Sequence, residues 1–259
     1  VLKETTEGKK SISIRASSSE EMVFLYDGIR INNMGDALLD LSQMTNLGLS
    51  GMELVFGGHE KALSSSGTIN FIPRLTYNNS LLFNQQFGTY NYGGYDGFGS
   101  LGIKSSTINL GNSQTQMNQT YSDTNASEII TFFKRYYCNF GYKKSKNLEL
   151  KVMMFQNEKL FQNIRTNDSI NVKMQNAIIK VENNHTSKGN ISFFSLIQNF
   201  KEKEIIGLNS RDKNDITRGL GFEYEKVIDH SRVSFSTETH LSGVDWGIDT
   251  NIVINDRQS

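Results

Sequence analysis

Beyond residue 75 the chain alternates polar and apolar residues in one stretch after another, and this period of two constrains the fold more than any other feature. In 148–155, Leu148, Leu150, Val152 and Met154 fall on one face, with Glu149 and Lys151 on the other. Leu220, Phe222 and Tyr224 oppose Gly219, Gly221, Glu223 and Glu225; further on, Val233, Phe235, Thr237 and Leu241 oppose Ser234, Ser236, Glu238 and His240. Ile191, Phe193 and Ile197 also share a face, although Phe194 and Leu196 make the opposite face apolar too. Side chains along a strand point alternately to its two sides, so these stretches read as strands with at least one apolar face. The single proline, Pro73, fits long uninterrupted strands, because proline has no N–H to give to a ladder.

The alternation places strands at roughly 80–90, 94–105, 107–122, 131–143, 147–160, 172–183, 190–204, 216–228 and 232–246, about nine in all. The connections 143–147, 184–189 and 229–231 are short, whereas 122–130, 162–170 and 206–215 are longer and polar. Tight turns at one end and long loops at the other are the pattern of an outer-membrane β-barrel. Aromatic residues gather toward strand ends (Tyr90, Tyr92 and Tyr95; Phe132, Phe133, Tyr136 and Tyr137), where interfacial girdles would lie. A soluble sandwich, with the same aromatics in its core, is the competing reading.

Before Pro73 the pattern is that of a compact mixed α/β unit. Short apolar runs at 11–14, 22–26, 52–56 and 68–72 alternate with small polar segments, and 36–44 is expected to form a short helix carrying Leu38, Leu39 and Leu41. Lys plus Arg and Asp plus Glu number 27 each with no basic block, which argues against a nucleic-acid partner. Cys138 is the only cysteine, so neither a disulfide nor a thiolate metal site arises within the chain. No apolar run approaches the ~20 residues a spanning helix needs, a test that leaves a barrel open. The chain opens on valine without an export signal, and its natural start is expected to lie upstream.

Three motifs in series identify a resemblance. Residues 11–32, SISIRASSSEEMVFLYDGIRIN, are similar to the plug signature of TonB-dependent outer-membrane receptors, an "isIRG" strand followed by an apolar strand ending "DGvriN". Asp40-Leu41-Ser42 followed by residues 51–57 resembles the stretch ending "IeRIEVlrG", and residues 62–72 resemble "SalYGsgAigGvINIitk". More weakly, 83–90 and 93–98 resemble the first barrel hairpin. The chain departs from the family at Ala16, in place of glycine, and at Gly51 and Phe56, in place of arginines.

The resemblance implies an α+β plug domain over 1–75 followed, over 76–259, by antiparallel transmembrane strands of an incomplete barrel, mainly β overall. Arg15, Asp27, Gly28, Arg30, Asn32, Glu53, Gly57, Gly67 and Asn70 fall on its plug motifs. Plug cations of the family pair with carboxylates of the barrel wall, which makes Arg15 the expected plug–barrel tether. The implied activity is TonB-coupled uptake of a scarce nutrient such as an iron–siderophore complex, cobalamin or an oligosaccharide. The implied partners are the TonB complex, engaged through a segment upstream of this chain, the outer-membrane lipid and a small-molecule nutrient; the localisation is the outer membrane of a Gram-negative bacterium.

Other residues carry plainer readings. His59, His185, His230 and His240 lack metal-ligand spacing and read as incidental, and Asp212, Asn214 and Asp215 read as a solvated loop without a glycine-centred calcium site. The cluster Gly93, Gly94, Gly97, Gly99 and Gly102 is no phosphate loop; close packing on a strand lining the plug explains it. No catalytic constellation or cofactor motif is present, so a non-enzyme is expected. A β-rich soluble adhesin is the alternative function, and a barrel enzyme would need a serine–histidine pair on one face.

Overall fold

The computed structural model describes residues 2–4, 10–12, 21–32, 39–44, 46–56, 67–89, 91–120, 127–185, 189–228 and 231–250. Two short strands, β1 (Leu2–Glu4) and β2 (Lys10–Ile12), pair with each other. Strands β3 (Met22–Tyr26), β4 (Ile29–Arg30), β5 (Leu49–Phe56) and β6 (Gly67–Pro73) form a small sheet in the order β4-β3-β6-β5, with β3 and β6 parallel. Nine further strands form one antiparallel meander: β7 (Ser80–Phe87), β8 (Gly93–Ile103), β9 (Ser106–Thr120), β10 (Ser127–Lys143), β11 (Leu148–Asn163), β12 (Asp168–His185), β13 (Gly189–Ile206), β14 (Asn209–Ile228) and β15 (Ser231–Thr250). The change from one sheet to the other falls between Pro73 and Ser80.

About nine strands were expected and nine occur among the described residues, but two expectations around them are corrected. The stretches 162–170 and 206–215 are not long loops. Strands β11 and β12 run up to a four-residue turn, 164–167, and β13 and β14 meet at Gly207-Leu208, with Gly207 at φ +59°. The polar residues there keep pairing across the ladder, Glu204 opposite Arg211 and Ile206 opposite Asn209. Polarity marked the level at which the strands leave the apolar zone, not where they end. Asp212, Asn214 and Asp215 therefore lie in β14, with Asp212 and Asp215 on opposite faces. The expected helix at 36–44 is also corrected. Its described part is a single 3-10 turn, Leu41–Gln43, capped by Asp40, which accepts from the Ser42 N–H at 2.9 Å; Met44 then turns extended. The helical component shrinks, among the described residues, to 3-10 turns.

The nine-stranded wall has two chemically different faces. Its outer face carries Leu81 (88% exposed), Leu101, Ile179, Phe193, Leu220 and Leu241, a width of apolar surface that water alone would disfavour. On its inner face Met153, Phe155, Met174, Ile178, Phe194 and Leu196 pack with Met22, Phe24, Tyr26, Ile29, Ile31 and Phe71 of the small sheet in one continuous core. This explains the doubly apolar β13: Ile191, Phe193 and Ile197 look outward, while Phe194 and Leu196 press on the small sheet. Tyr26 and Phe155 meet across the junction with ring centres 4.7 Å apart.

The connection between the sheets is stitched to the wall. The Thr76 N–H donates to Asn109 Oδ1 (3.0 Å), and the Thr76 carbonyl accepts from Ser100 Oγ and Thr107 Oγ1. Asn139 Nδ2 donates to the Arg74 carbonyl (3.1 Å), and Tyr77 OH donates to Glu149 (2.9 Å). Gly102 makes room for this stitch, since a Cβ there would sit 1.8 Å from the Tyr77 carbonyl oxygen. Of the glycine cluster, Gly94 and Gly102 face inward and meet close neighbours, whereas Gly93, Gly97 and Gly99 have no neighbour nearer than 3.9 Å, so close packing does not account for those three.

Gly111 supplies a sharper test of inner-face packing: a Cβ there would lie 1.9 Å from the Tyr137 ring, which is buried beneath the small sheet. Gly111→Ala forces the ring or backbone to shift and is expected to cost about 1–3 kcal/mol. Gly97→Ala, on the open outer face, is the control. Thermal unfolding in detergent should show a clearly lower midpoint for Gly111→Ala alone; equal midpoints would contradict the packing described.

Candidate functional site: an ion cluster between the small sheet and the wall

The chain leaves β3 through Asp27-Gly28, whose φ angles of 52° and 81° make two consecutive left-handed positions, the type I′ geometry that an Asp-Gly pair favours. The turn is pinned from behind. The Asp27 N–H donates to the Phe71 carbonyl and the Gly28 N–H to Asn70 Oδ1, both at 2.9 Å. Asn70 Nδ2 in turn donates to Glu53 (2.9 Å). Asn32 closes the other side, accepting from the Phe24 N–H (2.8 Å) and donating to the Met22 carbonyl (2.9 Å). Gly67 is buried at the start of β6, opposite Met22 and Phe56. Asp27, Gly28, Asn70 and Glu53 thus belong to one hydrogen-bonded group. Arg15 and Gly57 lie outside the described residues.

So held, the Asp27 carboxylate is aimed at the wall. Lys151 Nζ approaches it at 3.1 Å and Lys180 Nζ at 3.2 Å, and Lys180 also donates to the Asp27 carbonyl at 2.6 Å. Glu182 bridges both lysines at 2.7 Å. Lys151 and Lys180 are opposed across β11 and β12, an arrangement that repels unless carboxylates intervene. Two cations and two anions balance. Balance is required, because the Lys180 side chain is only 2% exposed and an unpaired buried ammonium is very costly. This tether has the reverse polarity of the one expected from Arg15: the small sheet brings the carboxylate and the wall brings the cations.

A second tie lies farther up the wall. Lys159, its side chain 0% exposed, pairs with Asp40 at 3.0 Å. Arg135 stacks on Phe133 and donates to the Ser42 carbonyl at 2.7 Å. Tyr137 OH donates to the Leu47 carbonyl (2.9 Å) and Gln198 Nε2 to the Ile31 carbonyl (3.0 Å). Arg30 interacts electrostatically with Glu238 and His240 of β15, which contact each other. Burial pushes the Tyr26 phenol well above its ordinary pKa, so this hydroxyl stays neutral within the junction. Asp40, Lys151, Lys159, Lys180 and Glu182 were not singled out from the sequence; the available signal was that strand parity turns Lys151 away from the apolar face. Among the described residues no group of three or more His, Cys, Asp or Glu side chains is placed to hold a metal ion, and His59 and His230 lie outside them.

No family model and no curated protein matches the sequence. Solved structures do. The chain is similar to the alcaligin outer-membrane receptor FauA from Bordetella pertussis (14% identity, TM-score 0.73, covering 93% of this chain and 41% of that one). It is similar to the siderophore receptor PiuA from Acinetobacter baumannii (13%, 0.74, 98% and 44%) and to the copper transporter OprC (8%, 0.78, 96% and 42%). At such identities the likeness establishes fold: the chain has the fold of the TonB-dependent outer-membrane receptors over nearly all its length. It spans about two fifths of the length of these structures, 41–44%.

Asp27→Asn removes one anion from the cluster and leaves the wall lysines with Glu182 alone. The expected loss is on the order of 3 kcal/mol, reduced by the partial exposure of Asp27 and Lys151. Lys180→Met combined with Asp27→Asn should cost less than the sum of the two single changes, because each single change strands a charge that the pair does not. Hydrogen exchange of the amides in 22–31, with the protein in detergent, reads the loss. Additive effects would show that the two groups do not act together.

Proposed function

We propose that the chain belongs to an outer-membrane receptor of a Gram-negative bacterium, in which residues 1–75 form part of a plug and 76–259 form barrel wall. The carrying observation is the two-faced wall, apolar outside and joined inside to a small sheet by buried ion pairs. An apolar exterior on paired strands suits lipid, where every backbone polar group must be satisfied within the protein. A soluble adhesin of the same composition would have no use for an exterior of this kind.

In this reading the receptor imports a scarce nutrient, and TonB supplies the work that displaces the plug. A structural neighbour described as a siderophore receptor favours an iron–siderophore complex, ahead of cobalamin or an oligosaccharide. The ion cluster is the resting lock. Ions suit such a lock because their pairing is strong when dry and is lost cheaply once water enters. Energised movement need only favour a state in which Asp27 and Asp40 are hydrated rather than paired.

The test is growth on a panel of ferric siderophores, cobalamin or oligosaccharides as the limiting nutrient, in cells whose only receptor is this one. Uptake of one of them that depends on TonB, with the receptor recovered in the outer-membrane fraction, is the expected outcome. Uptake that persists after deletion of TonB would overturn the coupled mechanism, and recovery of the protein in the soluble fraction would overturn the receptor reading.

A further inference from the structure

The outer face of the wall changes chemistry within two rungs of the ladder. Across β12–β15 the rung Ala177, Ile197, Arg218 and Leu241 is largely apolar, Arg218 being a charged exception whose length lets its head reach upward. Two rungs nearer the Gly207-Leu208 turn comes Lys173, Lys201, Asn214 and Asp245, and the next rung holds Asn171, Lys203 and Asp212. Parity places all of these on the same side as Ile179, Phe193 and Leu220. Lys173, Lys201, Lys203, Asp212 and Asp245 line a groove of about 600 Å³.

The lysines are not consumed by the fold. Lys173 pairs with Glu158 at 3.0 Å, but Lys201 and Lys203 are exposed and enter no ion pair among the described residues, although Asp212 stands across the ladder from Lys203. Four residues separate Ile197 from Lys201, a rise of about 13 Å along the strand and less along the membrane normal once the strand tilts. That is where the headgroup of a lipid lies whose acyl chains cover Ile179, Phe193 and Leu220.

We propose that this groove binds the phosphate headgroup of a phosphorylated lipid in the leaflet at the Gly207-Leu208 end of the wall, with Lys173, Lys201 and Lys203 as its cationic contacts. The assignment rests on the membrane reading given above. The apolar rungs hold the acyl chains and the lysines hold the phosphates, so the two halves of one molecule are recognised by adjacent parts of one surface. Asp212 and Asp245 limit the net charge and keep the groove from being a general anion trap.

The protein in zwitterionic detergent is titrated with diphosphorylated lipid A and, separately, with the same lipid stripped of its phosphates, and binding is measured by isothermal titration calorimetry. The phosphorylated lipid is expected to bind more tightly, and the triple variant Lys173→Gln, Lys201→Gln, Lys203→Gln to lose about tenfold of that preference. Lys144→Gln with Lys146→Gln, at the opposite end of the wall, should retain it. Equal binding of the two lipids, unchanged binding by the triple variant, or competition by inorganic phosphate at concentrations matching the lipid would overturn the proposal. Insertion into liposomes is measured in parallel. A protein that inserts without phosphate preference overturns this inference alone, whereas one that fails to insert overturns the membrane reading with it.

Discussion

Continuous antiparallel pairing from β7 to β15 is the constraint on which the other features rest. An unbroken ladder has a side-chain period of two, so once one residue of a strand is assigned to a face, the rest of that strand follows. Each strand then hands its assignment to the next through register: Met153 opposite Ile178, Ile178 opposite Leu196, Leu196 opposite Gly219. A slip by one residue in β12 alone would turn Lys180 into the apolar exterior and Ile179 toward Asp27. Register is therefore secured by the cost of misplacing charges as well as by the gain from burying hydrocarbon.

The interior solves a different problem. A wall built only of apolar inward residues would hold the small sheet in many nearly equivalent positions, since hydrophobic packing has little direction. Buried ions contribute less to net stability than they do to position, because each must find its partner or remain unpaired at great cost. Asp27 with Lys151 and Lys180, and Asp40 with Lys159, fix the small sheet at two heights. Neutral contacts such as Tyr137 to the Leu47 carbonyl and Gln198 to the Ile31 carbonyl fill in between.

Much of the wall was legible because period two survives in a single sequence. The strand at 148–155, with Lys151 on the face opposite Leu148, Leu150, Val152 and Met154, followed from alternation alone. The Asp27-Gly28 turn was legible for a local reason, the left-handed preference of that pair. What joins Asp27 to Lys180 was not, since it depends on the register of strands far apart in the chain and on how the small sheet sits against them. The tether expected at Arg15 lies outside the described residues; the tie that is described has its carboxylate on the small sheet and its cations on the wall. At 206–215 the charges themselves misled, because a strand that has left the apolar zone reads like a loop until its pairing is known. At 36–44, three leucines suggested a helix where the described part makes one tight turn.

The stitched connection at 74–79 has a kinetic consequence. Ser100, Thr107, Asn109 and Asn139 hold its backbone to the wall by neutral hydrogen bonds that do not involve the ion cluster. A small sheet that loses its ionic contacts therefore remains leashed by a few residues to the surface it left. Its effective concentration there is in the millimolar range or above, as for any short tether, so re-docking is an intramolecular event independent of how much protein is present. A small sheet parted from the wall is thus returned by the leash to the neighbourhood of the same two lysines, Lys151 and Lys180.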